Sequence, residues 1–152
     1  MLEGKIAHVG MSVSDIHASL AFWEKFLGVE ARWQRLLDGE YLSAHVGYPN
    51  LKIEAAFIDL PGGNLLELLD YQVDEREAIP EASANPGHAH LCLGTDDIQG
   101  VWEHAIACGA RPIRPAGPVE ITTGPNKGAK AAYLRVPPDW QTLELFQSPP
   151  AG

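Results

Sequence analysis

Apolar and polar positions alternate from residue 5 to residue 13, then change to a helical spacing that runs to Leu27. Ala7, Val9, Met11 and Val13 fall on one face of a strand, with Ile6, His8, Gly10 and Ser12 on the other. Ser14 stands where an N-cap is expected, with Asp15 in the first turn, where the helix dipole favours negative charge. Ile16, Leu20, Trp23 and Leu27 form a helical stripe that Phe22 and Phe26 widen, and Gly28 is placed to end it. Three segments with strand-like content follow: Val29–Leu37, Glu40–Val46 and Lys52–Leu60. Pro61-Gly62-Gly63-Asn64 signals a turn, and Leu65–Leu69 reads as the returning strand of a hairpin. The expected order is β-α-β-β-β, ending near Tyr71.

The stretch from Gln72 to Gly87 is acidic, contains Pro80 and Pro86 and has no periodicity, as expected of a linker. The first pattern then returns. His88–Thr95 alternates, with Ala89, Leu91, Leu93 and Thr95 opposite His88, His90, Cys92 and Gly94. Asp96 or Asp97 is placed to cap a helix carrying Ile98, Val101, Trp102, Ala105 and Ile106, which Gly109 stops. A strand near Arg111–Pro115, a Gly-rich loop from Gly117 to Gly128, and a strand over Lys130–Val136 follow. Pro137-Pro138-Asp139-Trp140 makes a turn before a last strand, Thr142–Phe146.

The second half is a copy of the first in its opening. His90 follows His8, Asp97 follows Asp15 and Ile98 follows Ile16 by the same 82 positions. Two copies in 152 residues make a duplicated module rather than a solenoid. The expected fold class is therefore α+β, with two paired βαβββ modules. One domain over residues 1–148 contains module 1 at about 4–71, the linker at about 72–87 and module 2 at about 88–147, with a tail at 149–152.

Composition narrows the function without naming it. Hydrophobic residues at 45% and charged residues at 20% are those of a folded globular chain able to bury a core. The net charge of −9 argues against a nucleic-acid partner. No run reaches the length of a membrane span, and the N-terminus lacks an apolar signal region. Cys92 and Cys108 form neither a CxxC metal motif nor a disulfide framework, and a cytoplasmic location with reduced thiols is expected.

Both modules close on the same tripeptide, Leu66-Glu67-Leu68 and Leu143-Glu144-Leu145. Alternation sets each glutamate opposite its two leucines. Taken singly, such a strand is a half-exposed one with its Glu in water, and a lone strand His is structural or exposed. Four residues in the same order in two copies are a different matter. If the leucine faces pack on helices, His8, Glu67, His90 and Glu144 project to the opposite side and meet over a shared concavity. Two imidazoles and two carboxylates make a donor set of mixed N/O character for a divalent metal.

The His–strand–Asp-Ile–helix–Gly opening, the terminal Leu-Glu-Leu strands and the paired βαβββ layout resemble the vicinal oxygen chelate superfamily. Asn126-Lys127-Gly128 with Tyr133-Leu134, and Pro138-Asp139 before Leu143-Glu144-Leu145, resemble its usual loop and closing strand. That superfamily includes glyoxalase I, methylmalonyl-CoA epimerase, extradiol dioxygenases, and fosfomycin- and bleomycin-resistance proteins. The likeness runs from Ile6 to Phe146 and implies curved sheets around a shared cavity and a homodimer. It puts the metal ligands at His8, Glu67, His90 and Glu144, with His88 as a competitor for His90. The family's Asp-Pro-Asp-Gly turn is Pro137-Pro138-Asp139-Trp140 here, lacking the first Asp and the Gly.

The resemblance also implies the chemistry. A fourth protein ligand at Glu67 is closer to glyoxalase I and the epimerases than to the two-His, one-Glu dioxygenases. One divalent ion (Zn, Ni, Co, Mn or Fe) would hold a carbonyl oxygen of a small oxygenated substrate and stabilise an enediolate. Glu144 is expected as principal base and Glu67 as its partner. An Fe(II) ring-cleaving dioxygenase and a drug-binding resistance protein are the alternatives. His88, Asn126, Lys127 and Trp140 are the candidate substrate contacts, with Lys130 near the loop. Trp33, Tyr41, Tyr48 and Phe57 are candidate pocket aromatics, and His45 has no assigned role. No residue pattern specifies glutathione or coenzyme A.

Overall fold

The strand that opens each half of the chain pairs in parallel with the strand that closes it. In the computed structural model, which describes residues 4–150, the chain divides into two units, one ending at Ala78 and the other beginning at Ile79. The division falls inside the acidic, irregular stretch. The tail expected at 149–152 lies partly outside the described residues.

In unit 1, β1 (Val9–Ser12) leads into α1 (Ile16–Leu27). Asp15, rather than Ser14, caps α1: its extended backbone lets Oδ1 accept from the Ala18 N–H at 2.9 Å. Ser14 stands one position too early to make that contact. Gly28 closes the helix in the left-handed region at φ 69°, its N–H donating to the Glu24 carbonyl. β2 (Trp33–Leu37), β3 (Ile53–Asp59) and β4 (Leu65–Tyr71) complete a sheet of order β1-β4-β3-β2, antiparallel except for β1 with β4. The Pro-Gly-Gly-Asn turn is a 3₁₀ turn at Pro61–Gly63.

Glu40–Val46 is not a strand. It forms α2 (Glu40–Val46), closed by Gly47 at φ 83°. Leu42 is buried and Val46 partly so, four positions apart, and both pack on Leu51, Ile53 and Ala55. The β-branched and aromatic content suggested a strand, but this i, i+4 contact with the sheet decides the local structure. The segment 29–32 is likewise irregular rather than strand.

Unit 2 repeats the order. β5 (His90–Gly94) leads to α3 (Ile98–Ala107), capped by Asp97 accepting from the Gly100 N–H at 3.0 Å. β8 (Lys130–Val136) and β9 (Gln141–Gln147) form the centre of a sheet of order β5-β9-β8-β6. β6 is only Arg111–Pro112, and the Gly-rich loop holds a second short strand, β7 (Val119–Glu120); both pair with β8. Replacing either helix cap, Asp15→Ala or Asp97→Ala, is expected to cost about 1 kcal/mol, read as a lower thermal midpoint with activity retained. No helix among the described residues is long and apolar enough to cross a membrane.

In each sheet one face packs on a helix. His17 of α1 lies 3.8 Å from Glu54, marking the face that also carries the buried Ala56, Ile58, Leu66 and Leu68. In unit 2 the Ile98 N–H at the start of α3 donates to Gln147, on the same face of β9 as the buried Leu143 and Leu145. The opposite faces carry Glu67 and Glu144.

Candidate functional site

Alternation along β4 and β9 turns Glu67 and Glu144 away from the leucines that flank them. The parallel pairing then fixes their neighbours. Gly10 of β1 is the register partner of Glu67, and Cys92 of β5 that of Glu144. Two residues earlier in each strand region, the histidines reach the carboxylates. His8 Nε2 is 3.2 Å from Glu67 Oε2, and His90 Nε2 is 3.0 Å from Glu144 Oε2. On the other flank, antiparallel pairing sets Phe57 opposite Glu67 and Tyr133 opposite Glu144. Each ring packs against the histidine of its unit, with centroids 5.6 Å apart for His8–Phe57 and 5.2 Å for His90–Tyr133. The same arrangement of imidazole, carboxylate and aromatic ring is built twice.

The copies differ in polarity at two positions, Gly10 against Cys92 and Phe57 against Tyr133. Cys92 is exposed as a residue, but partial desolvation of its sulfur pushes the thiol up to about 11, reinforced by the Glu144 charge and by its hydrogen bond to Glu144. At neutral pH it is a thiol donating to that carboxylate. Its counterpart, Gly10, offers Glu67 no such donor; a Cβ there would stand 3.7 Å from Glu67 Oε2. Burial, with Glu144 and Cys92 beside it, also raises the Tyr133 hydroxyl above its ordinary value.

An imidazole nitrogen facing a carboxylate oxygen suits divalent ions of borderline softness. Both glutamates are largely shielded, at 18% and 19% side-chain exposure, while the imidazoles are open at 44% and 38%. Among the described residues, no three His, Cys, Asp or Glu side chains are grouped so as to hold a metal ion. Each unit sets one imidazole against one carboxylate.

The two faces are covered differently. In unit 1, α2 and the Leu42, Leu51, Ile53 and Ala55 cluster fill the Glu67 face beyond Phe57, with Trp33, Leu69 and Tyr71 packed around them. In unit 2 a cavity of about 320 Å³ opens beside Glu144 and Tyr133. β6 and β7 pair with the two ends of β8, and between these pairings the half-buried Ala131 and the buried Ala132 form part of the cavity wall. Trp102, Ile113, Arg114 and Val119 complete the wall.

His88, Asn126, Lys127 and Trp140 are not among the residues that line this cavity. Asn126 and Lys127 lie on an exposed turn. Trp140 has φ 56° in the turn before β9 and lies under the Arg111 guanidinium, 3.3 Å from its ring centre. His88 precedes β5, half-buried, with its N–H on the Asn85 carbonyl. Trp33 and Phe57 stack edge to face at 5.1 Å, whereas Tyr41 and Tyr48 are exposed. His45 is exposed in the last turn of α2. Sequence reasoning passed over Cys92, Tyr133 and Arg114. Cys92 was legible as the residue 82 positions after Gly10, but nothing in the sequence singled out Arg114.

A family model described as the Glyoxalase/Bleomycin resistance protein/Dioxygenase superfamily matches residues 5–135. The chain belongs to this superfamily. It is 32% identical over 143 residues to the uncharacterized protein YwbC of Bacillus subtilis, covering 94% of this chain and 97% of that one. It is 28% identical to a probable lactoylglutathione lyase of Vibrio parahaemolyticus, over 100% of this chain and 96% of that one. A glyoxalase family protein from Bacillus cereus superposes with a TM-score of 0.77 at 17% identity, covering 98% of this chain and 99% of that one. That likeness shows the shared fold.

Proposed function

We propose that this glyoxalase-superfamily chain is a metal-dependent lyase or isomerase that moves a proton next to a carbonyl of a small oxygenated substrate. The observation behind this reading is the doubled pairing of His8 with Glu67 and His90 with Glu144, at 3.2 and 3.0 Å. On this reading the four side chains together hold one divalent ion of the series Zn, Ni, Co, Mn or Fe. The bound ion supplies a Lewis acid for the carbonyl oxygen.

Glu144 removes the proton from the neighbouring carbon and becomes a carboxylic acid; it lies against the unit-2 cavity, where a substrate has room. The proton then returns to the adjacent carbon from Glu144, or Glu67 delivers one to the opposite face. The Cys92 thiol steadies the Glu144 carboxylate by donating to it. Phe57 and Tyr133 hold the two imidazoles by packing on them. The relative named as a probable lactoylglutathione lyase supports the lyase branch. The same reading places the protein in the cytoplasm as a homodimer, consistent with its two free thiols, Cys92 and Cys108.

Chelator-stripped protein, reloaded with one divalent metal at a time, tests this reading. The probes are the hemithioacetals that methylglyoxal and phenylglyoxal form with glutathione. At least one reloaded sample should form the 2-hydroxyacyl thioester, and the stripped protein should form none. Equal activity with and without metal, or oxygen uptake with catechol in place of thioester formation, would overturn it.

A further inference from the structure

Arg114 is an unusual cation for so acidic a chain. The net charge is −9, and Arg32, Arg76 and Arg111 each pair with a carboxylate: Asp59, Asp70 and Glu81. Arg114 instead lines the unit-2 cavity, and among the described residues no acidic side chain pairs with it. Its Nη1 donates to the Gly117 carbonyl at 3.0 Å, which ties the guanidinium to the turn of its own loop. A guanidinium carries five N–H donors in a planar fork, so one tether leaves the rest available. Glu144, on the same cavity wall, is engaged by His90 instead.

The rest of the wall is mostly apolar: Trp102, Ile113, Val119, Ala131 and Ala132. Small-molecule pockets run from about 300 to 1,000 Å³ and combine an apolar lining with a few placed polar groups. At about 320 Å³ this one is at the small end and suits a single ring or short branched chain. A lone arginine matches the two oxygens of a carboxylate. A dianionic phosphate would need further cations and would face Glu144 on the same wall.

We propose that this cavity selects a small carboxylic acid, a 2-oxo or 2-hydroxy acid with a compact apolar group. The apolar group packs between Trp102, Ile113 and Val119, the carboxylate lies on Arg114, and the oxygenated carbon faces Glu144. The proposal deepens the proton-transfer reading in its last element only; carboxylate binding by Arg114 does not require the metal.

Calorimetric titration of the full chain with phenylglyoxylate and its neutral amide, with and without zinc, tests it. Metal-stripped wild-type protein should bind the acid at least about 10-fold more tightly than the amide. Arg114→Met should bring the acid to the level of the amide while leaving amide binding within about twofold, and Arg114→Lys should fall between. Equal binding of acid and amide by the wild type, or unchanged acid preference in Arg114→Met, overturns the proposal. Preference for the acid with no effect of zinc would count against the metal reading and leave the Arg114 subsite standing. A zinc effect without acid preference would do the reverse.

Discussion

Glu144→Gln is expected to lower turnover of the hemithioacetal probes by at least about 10³-fold while leaving the protein folded. A positioned acid/base group contributes about 10²–10⁴ in rate, and in the proposed reaction Glu144 is also a metal ligand. Gln keeps the volume and the strand geometry, so Leu143 and Leu145 stay buried on the α3 face. What the variant loses is the charge facing His90 and the site that accepts the proton. The pair is part-exposed, with His90 at 38%, so its share of stability is small, about 1 kcal/mol or less. Steady-state rates alongside thermal midpoints separate the two effects. Near wild-type turnover in Glu144→Gln would remove it as the base.

Trp23→Ala is expected to be the most destabilising single change, at about 3–5 kcal/mol. Trp23 is 1% exposed in the middle of α1. It packs edge to face on Phe22 at 5.2 Å and on Phe26 at 6.2 Å. Removing the indole opens a void between helix and sheet that neighbours on a regular helix cannot close. A typical domain has about 5–15 kcal/mol of stability, so such a loss reaches a large fraction of the whole. Urea denaturation should show a lower midpoint with an unchanged slope. A loss under about 1 kcal/mol would mean that the α1 packing is wrongly described.

The elements that carry His8, Glu67, His90 and Glu144 were legible because duplication is a strong signal. The 82-residue offset located β1 and β5, and the paired Leu-Glu-Leu strands located β4 and β9. Alternation then said that each Glu lies opposite its leucines, as the structure has it. The failures have physical causes. α2 was read as a strand because its helical contact is with Leu51, Ile53 and Ala55, partners that local propensity does not see. Asn126 and Lys127 lie exposed on the turn beyond β7, which pairs with β8. The cavity and Arg114 were invisible because they depend on how the chain runs between two short pairings with one strand.

On the proposed reading, His8, Glu67, His90 and Glu144 act together on one metal ion. The direct measurement is elemental analysis and metal titration of the wild type beside His8→Ala, Glu67→Gln, His90→Ala and Glu144→Gln. The account predicts one tightly bound divalent ion per site in the wild type and a loss of about 10²-fold or more in affinity in every variant, whichever unit carries the change. Wild-type protein that binds no divalent ion, or full affinity after substitution in either unit, would contradict it.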